Sequence, residues 1–279
     1  MSASLSRNIR RALTFAVGAA GIGCILSKYR ERKNYAEYTY PSMFGTAEVF
    51  TLTTESNQPV RVLNVGGGFQ SATYLGSKRF EPVFEYYRAF DHMFDSGNKV
   101  SRVLMLGGGG FSYPKHLLTT TKSVSIDVVE MDPAIVEIAR KHFFVNELEQ
   151  RYCHGKNARL GIYISDGLSF LANADDCAYD AVINDAFDGA NPVVGLLTSS
   201  ALLEAKRLLK KDGLYMLNAV IAEEDREMLH TYMEILLEGF SNVYAIRCFD
   251  EEFTGEDNWL LIASDGTHHF TGVEAMVSK

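Results

Sequence analysis

The chain has 279 residues, 47% hydrophobic and 22% charged, with 27 Lys+Arg against 35 Asp+Glu and a formal net charge of −8. This composition excludes intrinsic disorder and collagen-like repeats, and the length suits one large domain or two modest ones. Residues 1–33 carry +6 and the remainder −14; a body that acidic repels phosphate backbones, which argues against nucleic acid as main partner and is compatible with a cationic substrate.

Between two basic clusters, Ala12–Ser27 carries no charge. As a helix it would span roughly 24 Å, short of the ~30 Å hydrocarbon core. It reads as a candidate membrane anchor, with a cleaved signal peptide and a non-spanning apolar helix as alternatives. Basic residues on both sides leave its orientation open. The four cysteines (Cys24, Cys153, Cys177, Cys248) show neither CxxC nor Cys/His ligand spacing, so neither a disulfide framework nor a metal site is expected.

A polar linker, Asn34–Phe44, precedes short strand-like runs at Ala47–Thr53, Val60–Val65 and Gln70–Leu75, with Gly66–Gly68 as a hairpin turn. From Val103 onward, apolar β-rich runs at 103–106, 124–130, 160–164, 179–185 and 213–220 alternate with helical stretches at 113–120, 133–144, 168–172, 199–210 and 223–238. Continuous apolar strands with crossover helices predict a parallel sheet covered on both faces. Runs at 242–249 and 258–264 predict an antiparallel hairpin at the sheet edge. The expected fold is α/β: residues 1–33 form a basic/apolar segment, 46–98 a small amino-terminal β domain with a connecting helix, and 99–279 a doubly wound, mostly parallel seven-stranded domain.

In such a sheet, ligands bind beyond the carboxyl ends of the strands. Val103–Leu106 runs directly into Gly107, Gly108, Gly109 and Gly110 and then a helix. Glycines permit close backbone approach, and a helix amino terminus favours an anionic group. Ser112 stands where GxGxxG would place its third glycine. The next strand ends at Glu130, suited to accept both ribose hydroxyls. The third ends in Ser165-Asp166-Gly167, suited to an adenine amino group, and the fourth in Asn184-Asp185-Ala186-Phe187-Asp188. One acid at one strand end reads as a helix cap. Polar residues at four consecutive strand ends after a glycine loop point instead to a bound adenosine.

The series LGGGG, VEMD, SDG and YDAVINDAFDG resembles the spermidine synthase superfamily, with its Rossmann-like class I methyltransferase fold. VLNVGGGFQS and the Phe84–His92 stretch are similar to that family's LDGxxQ hairpin and FxYQExxxH helix. The resemblance implies that Gly107, Gly108 and Gly109 approach the nucleoside, that Glu130 holds the ribose, and that Asp166 and Gly167 hold the adenine. Gln70 would face the nucleotide side, Asp185 would be the general base, and Asp188 and Tyr86 would face the acceptor. The co-substrate would be S-adenosylmethionine or decarboxylated S-adenosylmethionine, without a metal, and the acceptor a small amine, as in polyamine biosynthesis. A homodimer is also implied, with the catalytic domain cytoplasmic and residues 12–27 attaching it to a membrane.

Departures from the family pattern keep two alternatives open: an S-adenosylmethionine-dependent methyltransferase, or an inactive nucleoside-binding relative. Gly110 stands where aminopropyltransferases carry an amine-binding acid, Tyr87 and Arg88 replace glutamine and glutamate, and Asp188 precedes glycine rather than proline. DAFDGANP resembles the DAFxGxxVP pattern of divergent, often membrane-associated, members. The acids between 250 and 257 read either as a solvated turn or as a rim attracting a cation. Tyr86 belongs to an aromatic cluster that equally suits core packing. Asp180 is expected to be structural, His92 to pack or cap, and Trp259 to pack the sheet edge.

Overall fold

The computed structural model describes residues 36–54, 57–97, 99–155, 158–188, 191–222, 225–248 and 257–279. The segment 12–27 and the acidic stretch 250–256 lie outside these residues. Among the described residues, no helix is long and apolar enough to cross a membrane.

An antiparallel sheet comes first: β1 (Tyr38–Ser42), β2 (Gly45–Thr53), β3 (Pro59–Val65) and β4 (Gly68–Tyr74), in that spatial order. Val65 pairs with Gly68 across the expected glycine turn. β1 falls in what reads as a polar linker, because its edge position leaves it largely exposed and spares it an apolar pattern. A short helix, α1 (Tyr86–Ala89), runs into a 3-10 turn over Phe90–Phe94 and leads to the second sheet.

That sheet contains β5 (Arg102–Leu106), β6 (Ser125–Glu130), β7 (Leu160–Ile164), β8 (Tyr179–Asn184), β11 (Leu209–Ile221), β12 (Asn242–Cys248), β13 (Asp257–Ser264) and β14 (Val273–Ser278), ordered β14-β12-β13-β11-β8-β5-β6-β7. The seven predicted strands are present, and β14 adds an eighth at one edge. The strands from β7 to β11 are parallel. β13 lies between β11 and β12, antiparallel to both. It is therefore an interior strand, and Trp259 is buried there under the Arg226 guanidinium rather than at an edge. A two-residue ribbon, β9 (Phe187–Asp188) with β10 (Asn191–Pro192), follows β8.

The crossovers are α2 (Ser112–Thr120), α3 (Pro133–His142), α4 (Val145–Tyr152), α5 (Gly167–Asn173), α6 (Ser199–Leu208) and α7 (Arg226–Gly239). The helix expected over 133–144 ends at His142, and a further helix that was not expected follows it: Phe144 takes a left-handed φ of 63° and turns the chain into α4. Alternate residues of each strand face opposite sides of the sheet. Val103, Met105, Ile126 and Val128 pack with Leu117, Ile138 and Leu148 on one face. Leu104, Leu106, Val182 and Leu217 pack with Leu202, Leu229 and Leu236 on the other. Ala47, Val49, Leu63 and Val65 of the first sheet belong to the former core, so the small sheet seats on the side of α2 and α3.

Candidate active site

From β5 the chain continues to β6 on one side, and β8 lies on the other, which opens a crevice at the carboxyl ends of these strands. The backbone closes tightly there: Gly107 N–H donates to Val129 O at 2.9 Å, and Asp185 N–H donates to Leu106 O at 2.9 Å. Gly107 has φ +95°, and a Cβ on it would lie 2.4 Å from Asp185 O, so no other residue fits. The first loop glycine thus sets the backbone of the catalytic candidate.

Glu130 is nearly buried at the end of β6. Its Oε2 accepts from Gly108 N–H at 2.9 Å and Gly109 N–H at 3.2 Å, and its Oε1 from Asp132 N–H at 3.0 Å. A carboxylate offers about four acceptor positions. Three of these are filled by the Gly108, Gly109 and Asp132 amides, which leaves about one open. Asp132 ties this corner to the first sheet: its Oδ2 accepts from Ser42 Oγ at 2.6 Å and Met43 N–H at 2.8 Å, while its Oδ1 caps α3 through Ala134 N–H at 2.8 Å.

Asp166 caps α5, its Oδ1 accepting from Ser169 N–H at 2.8 Å. This is the helix-cap role the sequence leaves open, and it occupies one carboxylate oxygen. Around it, the large apolar side chains of Met131, Ile164 and Leu168 remain exposed, and Leu196 packs 3.3 Å from where a Cβ on Gly167 would stand. Exposed apolar groups beside a strand-end acid suit the face of a planar base. On the opposite wall, Gln70 brings its backbone carbonyl to 3.5 Å from a Cβ built on Gly109, so the β3–β4 hairpin borders the glycine loop.

Asp185 is held by a chain of amides. Asn218 of β11 donates Nδ2–H to Asp185 Oδ1 at 2.8 Å, and Asn258 of β13 donates to Asn218 Oδ1 at 2.8 Å. Burial pushes the Asp185 carboxyl up from 3.8 to about 7, and the Asn218 hydrogen bond draws it partly back. Tyr86 and Tyr87 lie beside it, their ring centroids 4.1 Å apart and the rings tilted by 32°. Burial first, and then the Asp185 charge, raises the pKa of both hydroxyls. Tyr86 is therefore both part of the aromatic cluster and a neighbour of the candidate base. Asp188 contributes backbone to the β9–β10 ribbon, and its side chain lies outside the described part of the structure, as does that of Asp257.

Sequence reasoning missed Asn218 and Asn258, and it gave Asn184 no role beyond its place in the fourth polar strand end. Asn184 is buried, donating Nδ2–H to Tyr215 Oη at 2.8 Å and accepting from Ala186 N–H at 3.3 Å. The signal was present: an asparagine inside an apolar strand must find partners or bear the cost of burial. Asp180 lies at the other end of the sheet, gathering Ser101, the Arg102 amide and Lys210. His92 pairs with Asp95 at 2.7 Å on the surface. Among the described residues, no group of three or more His, Cys, Asp or Glu could hold a metal ion.

Several comparisons bear on this arrangement. The family model described as spermine/spermidine synthase domain matches residues 84–249. A polyamine aminopropyltransferase of Clostridioides difficile is 26% identical over 149 residues, covering 53% of this chain and 51% of the relative. That of Streptococcus pneumoniae serotype 4 is 36% identical over 115 residues, covering 40% and 37%. The chain thus spans about half the length, or less, of the curated relatives it matches. These relatives are named as transferases. In fold, the chain is similar to a probable spermidine synthase from Corynebacterium glutamicum, with TM-score 0.66 and 21% identity over 83% of this chain and 81% of that one. It also resembles human methyltransferase-like protein 13 in complex with SAH, with TM-score 0.53 and 22% identity over 67% of this chain and 84% of that one. Since the family match runs from Phe84 through the end of β12, more than half of the chain, this protein belongs to the spermine/spermidine synthase family.

Proposed function

We propose that this protein is a spermidine synthase-like transferase that binds S-adenosylmethionine or its decarboxylated form and alkylates a small amine. Glu130 receives the ribose, the slot beside Asp166, Met131 and Leu168 receives the adenine, and the sulfonium faces Asp185. The observation that carries this reading is Asp185 itself: a carboxylate fixed by Asn218 against the glycine loop, with its pKa raised to about 7.

An amine is protonated in water and attacks only after losing a proton. A carboxylate with a pKa near neutrality is suited to take it, and the cleft aligns the nitrogen with the carbon under attack. The −14 charge of the body favours approach of a cationic acceptor. Asp185→Asn keeps the side-chain shape and an acceptor for Asn218. With a panel of amines, it is expected to lower turnover of the sulfonium nucleoside by about 10²-fold or more while leaving nucleoside affinity unchanged. A variant that turns over as fast as wild type would show that Asp185 is not the base.

A further inference from the structure

The insertion of β13 between β11 and β12 places Leu260 in register with Asn218, and Asn258 in register with Val220 and Cys248. Residues two apart on a strand share a face. Ile183, Met216 and Leu260 belong to one core, and Asp185, Asn218 and Asn258 lie two residues beyond or before them. The three polar side chains therefore form a row across the adjacent strand ends of β8, β11 and β13, on the face that α1 covers with Tyr86 and Tyr87.

Chemistry dictates the direction of the hydrogen bonds in that row. An ionised carboxylate only accepts, so Asn218 must turn its Nδ2–H toward Asp185 Oδ1, where the separation is 2.8 Å. The Asn218 carbonyl oxygen then points the other way, on a side chain only 3% exposed, and a buried carbonyl needs a donor. Asn258 Nδ2–H supplies it at 2.8 Å. An amide turned by 180° exchanges its donor and acceptor ends. With Asn258 donating, a turned Asn218 would set amine against amine on one side and oxygen against carboxylate on the other.

We infer that Asn258 is a positioning residue for Asp185: through Asn218 it fixes which end of a buried amide faces the carboxylate and strengthens the hydrogen bond made there. Each bond in such a chain polarises the next, so the Asn218 donor gains from the bond that its carbonyl accepts. Asn258 is half-buried at the start of β13, one strand removed from Asp185. The titratable groups facing Asp185 among the described residues are Tyr86 and Tyr87, with Cys248 next to Tyr86. Both tyrosine hydroxyls are raised by burial and stay protonated through the neutral range, so they leave the titration of Asp185 to the carboxylate and its amide chain.

The consequence for turnover rests on the reading of Asp185 as the base; the positioning itself does not, and carbon-13 NMR of the full chain with labelled aspartate separates the two. The Asp185 carboxyl is identified as the resonance lost in Asp185→Asn. In Asn258→Leu its titration midpoint is expected to rise by about half a pH unit or more, roughly threefold in proton affinity. In an Asn218→Ala background the same substitution is expected to move it no further, because the path runs through Asn218. Asn258→Asp leaves only acceptors at this position once ionised, draws the Asn218 donor away from Asp185, and is expected to shift the midpoint further upward. An unmoved or lowered midpoint in Asn258→Leu, or a shift that persists in full without Asn218, would overturn the inference. The acid limb of the rate–pH profile is expected to follow the midpoint; a midpoint that moves while the limb stays would uphold the positioning and defeat Asp185 as the base.

Discussion

At the scale of single residues, the account turns on Asp185 and the asparagine that holds it. The Asn218 amide favours the ionised carboxylate, so Asn218→Ala is expected to raise the Asp185 pKa and move the acid limb of the rate–pH profile upward. Turnover should fall several-fold near pH 7 and recover as pH rises. A uniform loss at every pH would mean that Asn218 acts only on structure. The same raised pKa bears on stability. Relative to the unfolded chain, folded Asp185 holds an extra proton between about pH 4 and pH 7, so its contribution declines as pH rises through that window. Urea titration at neutral pH should therefore find Asp185→Asn no less stable than wild type, which keeps its expected loss of turnover attributable to chemistry. Asp185 was legible from its place at a strand end. Its amide chain was not, because Asn218 and Asn258 meet only after β13 inserts beside β11.

At the scale of elements, α2 joins the two sheets around the glycine loop. Lys115 is fully buried in it, donating to Thr73 Oγ1 of β4 at 2.9 Å and to Phe143 O at 3.3 Å. Burial lowers its pKa from 10.5 to about 7. Between those values the unfolded chain binds the proton that the folded chain sheds, so this group's contribution grows as pH rises from 7 toward 10.5 and is lost as pH falls back through 7. The stability of wild type relative to Lys115→Met is thus expected to increase with pH in this window, by at most about 1.4 kcal/mol per pH unit in denaturant titrations. A pH-independent difference would show that the ammonium is not desolvated. The crossover helices were legible because apolar runs alternate with helical periodicity. β1, α4 and β14 were not: β1 and β14 are edge strands of mixed polarity, and α4 arises from a left-handed turn at Phe144.

At the scale of the whole molecule, a mostly parallel sheet was readable from apolar runs alternating with helices, but its strand order, with β13 between β11 and β12, was not. The docking of the small sheet was not readable, since it depends on pairs far apart in the chain. Ser42 meets Asp132, Tyr40 hydrogen-bonds His142 at 2.8 Å, and Ser71 meets Ser112. These contacts place Gln70, Tyr86 and Tyr87 over the crevice and make one cleft from two sheets. The central claim is that this cleft binds a sulfur-bearing adenosine with its reactive end toward Asp185. A crystal structure of the protein with S-adenosylhomocysteine tests it most directly. The expected result places both ribose hydroxyls within hydrogen-bonding reach of Glu130, the adenine against Met131 and Leu168, and the sulfur facing Asp185. A nucleoside bound elsewhere, or one in the cleft with its sulfur turned away from Asp185, would contradict the account.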